Sequence, residues 1–230
     1  MKTLAVITAR GGSKRIPKKN IKEFCGKPII AYSIEAALQS GVFDEVMVST
    51  DSEEIAEIAV RYGAKVPFMR SAAASDDFTP TAKVVEEVVI SYREIGEEFD
   101  KVCCIYPTAP FVTAAKLKEA MDKLIETKAF SVVPVIPFSF PPQRGLVVEE
   151  GILKFMHPEH TFTRTQDLET IYHDAGQFYC LDTEQFMNKV TLFGDTTREI
   201  VLDEMEVQDI DNLTDWKLAE LKFRLIHGND

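Results

Sequence analysis

The chain is 230 residues long, enough for one large domain or two small ones with a well-buried core. Hydrophobic residues make up 45% and charged residues 27%, the balance of an ordinary folded protein, which excludes disorder, collagen-like repeats and low-complexity structure. Lys and Arg number 26 against 37 Asp and Glu, and a net charge of -11 repels phosphate backbones over most of the surface, so no nucleic-acid partner is expected.

The first apolar run, residues 4–7, is too short for the hydrophobic region of a signal peptide, and no later run could span a bilayer. The expectation is a cytoplasmic protein without a membrane partner. Cys25, Cys103, Cys104 and Cys180 form no C-x-x-C pair, and three of them sit in apolar stretches where a thiol serves as a small hydrophobe. Neither disulfides nor structural zinc are expected.

Leu4-Ala5-Val6-Ile7-Thr8 is short, continuously apolar and stopped by Gly11-Gly12, the pattern of a strand buried on both faces. Pro28 opens a helix with Ile30, Ile34, Ala37 and Leu38 on one face and Gly41 as its left-handed cap. Residues 45–49 form a second strand; the next helix takes Asp51 as N-cap, Glu54 as the partner in a capping-box-like pair, and Gly63 as its end. Residues 65–70 read as a strand ending at Arg70. The alternation continues with a helix over 80–95, a strand over 102–106, a helix over 114–126 capped by Thr113, and a strand over 131–135. Repeated βα units predict a three-layer α/β/α sandwich around a mostly parallel, Rossmann-like sheet.

Between 138 and 166 the pattern breaks. Prolines cluster at 137, 141 and 142, and Leu146-Val147-Val148 meets Ile152-Leu153 across Glu149-Glu150-Gly151, which predicts a projecting β-hairpin. Further strands are expected over 177–181 and 199–202, and a terminal helix from Thr214 carries Trp216, Ala219 and Phe223. With no repeat or linker in evidence, residues 1–230 are expected to form one domain with an inserted hairpin.

The chemistry concentrates in residues 10–27. Arg10, Lys14, Arg15, Lys18, Lys19, Lys22 and Lys27 face a single acid, Glu23, where even spreading would put about two basic residues. Gly11 and Gly12 directly after a strand could form a backbone nest for phosphate oxygens, completed by Ser13 and the cations. The competing reading is a solvated basic loop whose glycines serve only a turn. Neither the P-loop nor the dinucleotide-binding glycine pattern occurs. Near the C-terminus, Asp209 and Asp211 are two apart, so an extended backbone points both carboxylates to one face, as hard ligands for Mg²⁺ or as a solvated acidic edge.

Ala9-Arg10-Gly11-Gly12-Ser13-Lys14-Arg15-Ile16-Pro17-Lys18-Lys19-Asn20 resembles the signature loop of the cytidylyltransferases that activate acidic sugars. Val48-Ser49-Thr50-Asp51, Tyr106-Pro107-Thr108-Ala109-Pro110 and Gln208-Asp209-Ile210-Asp211 match further motifs in order, so the likeness covers nearly the whole chain. His173-Asp174-Ala175-Gly176-Gln177-Phe178-Tyr179 resembles the branch that takes pseudaminic acid; sialic acid synthetases usually carry an Asn-Gly step there, and Gln where this chain has Tyr106.

The resemblance implies that Arg10, Ser13 and Lys19 hold the phosphates of CTP, that Asn20, Arg70 and Thr81 lie around cytosine and ribose, and that Asp209 and Asp211 bind Mg²⁺. It implies transfer of CMP to a nine-carbon acidic sugar, and a homodimer whose hairpins reach over the neighbour's site. An acidic acceptor needs a cation or a strong donor, for which Arg164, His173 and Gln177 are candidates beside Tyr106. His157-Pro158-Glu159-His160 lacks the helical spacing of a zinc protease motif and is given no role.

Overall fold

Thr3–Thr8 forms β1, in which Leu4 and Val6 enter one face of a sheet and Ala5 and Ile7 the other, all four fully buried. The computed structural model describes residues 1–76 and 78–228. Two short strands, β2 (Glu23–Phe24) and β3 (Lys27–Pro28), pair around a turn and lead into α1 (Ile29–Ser40), which Gly41 ends at φ 65°. The alternation then runs through β4 (Glu45–Ser49), α2 (Glu53–Arg61), α3 (Thr81–Glu94), β5 (Lys101–Ile105), α4 (Ala114–Thr127) and β6 (Ser131–Pro137). The rest comprises β7 (Leu146–Glu149), β8 (Ile152–Phe155), β9 (Tyr172–Asp174), β10 (Phe178–Asp182), α5 (Thr183–Lys189), β11 (Arg198–Val201) and α6 (Leu213–His227).

The central sheet has the order β11-β6-β10-β5-β1-β4. β1 is parallel to β4 and β5, β11 is parallel to β6, and β10 runs antiparallel between β5 and β6. β9 also lies antiparallel on β6, so β9 and β10 are halves of one strand interrupted at residues 175–177. Ile34 of α1, Ile55 of α2 and Met121 of α4 cover one face; Val85 and Tyr92 of α3 and Phe186 of α5 cover the other. The expected three-layer, mostly parallel architecture is the one observed.

A third apolar cluster matters most for the site. Ile16 from the basic loop, Phe24, Ile29, Phe111, Ile210 from the acidic segment, and Trp216 and Ala219 of α6 are buried together. Burying side chains of this size is worth about 1.5–3 kcal/mol each, so this cluster pins the basic loop against the acidic segment.

β7 and β8 form their own two-stranded ladder, joined at Glu150 (φ 53°) and Gly151 (φ 78°), the paired left-handed conformations of a tight hairpin turn. Three local expectations need correction. Ser52, not Asp51, is the N-cap of α2, because the Asp51 carboxylate is drawn to the Gly11 N–H at 2.7 Å. Glu54 closes no capping box and pairs instead with Lys18 Nζ at 2.7 Å. Residues 65–70 form no strand: Lys65 makes one bridge to Met47, and the chain then turns so that the Arg70 N–H donates to the Thr50 carbonyl at 2.8 Å. All four cysteines are free thiols, and among the described residues no helix is long and apolar enough to cross a membrane.

Candidate active site

The loop after β1 owes its shape to a few internal contacts. The Asn20 side chain is buried and donates through Nδ2 to the Arg10 carbonyl at 2.9 Å, closing the loop on itself, while buried Ile16 anchors its middle. Lys18 takes a left-handed conformation (φ 53°), which separates its neighbours: Lys18 turns outward to Glu54, and Lys19 turns inward. Asn20 therefore has a structural task as well as a place on the cavity wall.

The acidic segment arrives from α6. Asn212 caps that helix by accepting from the Thr214 and Asp215 N–H groups, and Asp215 Oδ2 reaches back to the N–H groups of Asp211 at 2.9 Å and Asn212 at 3.0 Å. With Ile210 buried, Asp209 and Asp211 turn toward the basic loop. Lys19 Nζ donates to the Ile210 carbonyl at 2.7 Å, between the two carboxylates, and Arg15 pairs with Asp211 at 2.8 Å. Burial pushes the Lys19 ammonium below its ordinary range, against the pull of Asp211 and Asp209. Asp209 is open to solvent by area, yet desolvation by the concave wall, followed by repulsion from Asp211, raises its carboxyl above the usual range.

The opposite wall rises from the ends of β4 and β5. Buried Arg70 donates from Nε to Ser49 Oγ at 3.0 Å and from Nη2 to the Ser49 carbonyl at 2.5 Å; burial lowers its pKa from the usual guanidinium range and Asp51 opposes that. Its guanidinium is thus partly committed to the sheet end. Tyr106 follows β5 and sits 3.1 Å from Thr81 Oγ1 at the first turn of α3.

These walls enclose a cavity of about 440 Å³ at the carboxyl ends of the parallel strands, where open α/β sheets place their ligands. Arg10, Ser13, Lys19, Asn20, Arg70, Thr81, Tyr106, Asp209 and Asp211 all line it. The expected nest at Gly11-Gly12 is not formed: the Gly11 N–H is taken by Asp51, neither glycine has a positive φ, and the wall passes from Arg10 to Ser13 without them. Gly11 serves close approach instead, since a Cβ there would meet Ser52 Cβ at 3.1 Å.

Three sugar-site candidates lie outside this cavity. Gln177 is buried, with Nε2 donating to the Glu206 carbonyl at 2.7 Å, a tie between the break that precedes β10 and the segment before α6. His173 is exposed on β9, its ring tilted against that of Phe138 at 4.7 Å between centroids, and Arg164 is exposed beside Asp167 at 3.5 Å. Lys14, Arg15, Thr8, Thr79 and Thr108, none of them assigned an individual role from the sequence, also line the cavity. The density of the basic loop was a signal for Lys14 and Arg15, and the motif over residues 106–110 one for Thr108; Thr8 and Thr79 carry none.

A sequence model of the cytidylyltransferase family matches residues 4–194. The chain belongs to the cytidylyltransferase family. A pseudaminic acid cytidylyltransferase of Campylobacter jejuni is 41% identical over 228 residues, covering 99% of this chain and 98% of the relative. A CMP-N,N'-diacetyllegionaminic acid synthase of Legionella pneumophila is 36% identical, covering 96% of this chain and 95% of the relative. Among solved structures, a CMP:2-keto-3-deoxy-manno-octonic acid synthetase complexed with CTP superposes with a TM-score of 0.70 at 18% identity, each chain fully covered, a likeness of fold.

For this cytidylyltransferase-family chain the metal question turns on Asp209 and Asp211. Among the described residues no three or more His, Cys, Asp or Glu side chains cluster as a metal cage. Two carboxylates that repel each other and lie opposite a cationic loop nevertheless fit a hard divalent ion that takes its remaining ligands from water and phosphate.

Proposed function

We propose that the protein transfers CMP from CTP to pseudaminic acid in the cytoplasm, giving CMP-pseudaminic acid and pyrophosphate. The observation that carries this reading is the meeting of the basic loop with Asp209 and Asp211 across one cavity of about 440 Å³. The sugar's anomeric hydroxyl oxygen attacks the α-phosphorus in line, the bond from that phosphorus to the oxygen bridging it to the β-phosphorus breaks so that this oxygen leaves with pyrophosphate, and the hydroxyl proton passes to solvent. No covalent enzyme intermediate is required.

Positioning and charge stabilisation do most of the work in such transfers. Arg10, Ser13 and Lys19 hold the phosphates, and Lys19 is well placed because its ammonium stands beside the acidic pair. Asn20, Arg70 and Thr81 border the nucleoside, with Arg70 oriented by Ser49. Asp209 and Asp211 would hold Mg²⁺, which when bound neutralises triphosphate oxygens and acidifies its water ligands. Tyr106 borders the sugar. Arg164 and His173, which lie outside their own chain's cavity, act on the partner's site in a homodimer joined through the hairpin. Gln177 supports the wall rather than the sugar.

The test is incubation with CTP, Mg²⁺ and, in parallel, pseudaminic acid, N-acetylneuraminic acid and 3-deoxy-octulosonate, following pyrophosphate and identifying the product by mass. Product from pseudaminic acid alone is expected. Product from another acid alone overturns the sugar assignment and keeps the reaction.

A further inference from the structure

We propose that Arg15 is a positioning residue that changes partner: it is the counter-ion of Asp211 until CTP binds, then passes to the triphosphate, so that Asp211 becomes a free ligand for a divalent cation only when nucleotide is in place. The inference rests on the reading of Asp209 and Asp211 as the metal pair.

Arg15 Nη1 stands 2.8 Å from Asp211 Oδ2, a charge-assisted contact made where the basic loop meets the acidic segment. Each partner is joined in sequence to a buried residue of one apolar cluster, Arg15 to Ile16 and Asp211 to Ile210. The Asp211 N–H is also held by Asp215 Oδ2 at 2.9 Å. The two backbones are therefore fixed, and breaking the pair takes only rotation of the arginine side chain. That side chain is 68% exposed against 45% for Asp211, so it is free to turn and the pair itself is weak.

Two features make a triphosphate the better partner. Among the described residues, five basic side chains and three acidic ones line the cavity, an excess of positive charge that disfavours a divalent cation arriving alone and that a triphosphate reverses. Arg15 also stands among like charges, since it and Arg10 both repel the Lys19 ammonium that the two carboxylates attract. Phosphate oxygens set among these cations suit the planar guanidinium, which binds two of them at once. The exchange leaves the Asp211 carboxylate to a hard cation whose other ligands come from phosphate and water. Lys18, which turns outward to Glu54, takes no part.

Arg15 is exposed, so its replacement leaves the core intact. Two binding measurements test the exchange without turnover. Mn²⁺ binding to the protein without nucleotide, followed by electron paramagnetic resonance, should tighten about threefold or more in Arg15→Gln, the scale of one exposed ion pair. CTP binding in EDTA, followed by calorimetry, should weaken about threefold or more in the same variant, because a phosphate contact is lost. The opposite signs are the signature: a residue that merely shapes the loop would weaken both. Lys18→Gln, which removes the same charge from the outer side of the loop, should leave both affinities within about 1.5-fold. Arg15→Lys, which keeps the charge and loses the planar fork, should restore Mn²⁺ affinity to the wild-type value more fully than CTP affinity. In an Asp211→Ala background, Arg15→Gln should no longer change Mn²⁺ binding. Unchanged or weakened Mn²⁺ binding in Arg15→Gln, or unchanged CTP binding in EDTA, would overturn the exchange, and loss of Mn²⁺ in Asp211→Ala would still keep the metal pair. Mn²⁺ binding that Asp211→Ala does not affect would overturn the metal reading and the exchange with it.

Discussion

Asp209 is raised by desolvation and by repulsion from Asp211, which itself pairs with Arg15, and this sets two expectations at the level of single residues. Asp211→Ala should lower kcat/KM about 10³-fold, about 4 kcal/mol of transition-state stabilisation, in the pyrophosphate-release assay. Retained turnover would remove Asp211 from the metal site. Asp209→Asn should also abolish most activity yet raise the melting temperature of the ligand-free protein. The sign follows from the direction of the shift: desolvation first, then Asp211, raise the Asp209 carboxyl above its unfolded value, so ionisation opposes folding once the pH exceeds that folded value. The gain from Asn should be present at neutral pH and vanish below the unfolded carboxylate range near about pH 4. A melting temperature that falls at neutral pH would contradict it. At this scale the sequence reading located the cations of the basic loop but not their directions. Lys18 and Lys19 are neighbours of one type, and only the left-handed backbone at Lys18 sends the first to Glu54 and the second into the cavity.

At the scale of elements, the N-terminus of α6 joins stability to chemistry. Asn212 and Asp215 form a capping box, and Asp215 additionally holds the N–H of Asp211. Asn212→Ala and Asp215→Ala should each cost about 1 kcal/mol in urea unfolding, the usual worth of a cap. Only Asp215→Ala should in addition raise the Mg²⁺ concentration needed for half-maximal rate, because it alone frees the backbone of Asp211. Equal Mg²⁺ dependence in the two variants would reduce Asp215 to a cap. The βα alternation was legible because strands buried on both faces read as continuous apolar runs, as in β1, and because helices end in recognisable glycines, as at Gly41. Asp51 was misplaced as an N-cap because capping rules are local, and its carboxylate bonds across 40 positions to Gly11. The same limit applies to Gln177, whose strand was legible but whose side chain is committed to Glu206 in another part of the chain.

For the whole molecule, the exposed hairpin sets the strongest demand. Val148 of β7 stands opposite Leu153 of β8, and Leu146 opposite Phe155, so one face of the ladder is entirely apolar. Val148 is 69% and Leu153 63% exposed, and Phe140 and Phe162 in the flanking segments are 89% and 96% exposed. An isolated two-stranded ladder is marginal in water and an apolar patch of this kind calls for cover. The net charge of -11 works against self-association at long range, so a dimer has to be driven by apolar contact, and this face is where that contact is available. Such a dimer would also bring Arg164 and His173, which flank the hairpin and do not reach their own cavity, toward a neighbour's. Sedimentation should therefore find a dimer for the wild-type protein at micromolar concentration. Val148→Lys combined with Leu153→Lys sets two like charges against each other across the ladder and on the apolar face, and should give a monomer. Because none of the residues lining the nucleotide cavity lies in the hairpin, the monomer should bind CTP as the wild type does, while its KM for the acid sugar rises along with that of Arg164→Ala. A wild-type monomer, or a monomeric variant with unchanged sugar KM, would return Arg164 and His173 to the surface.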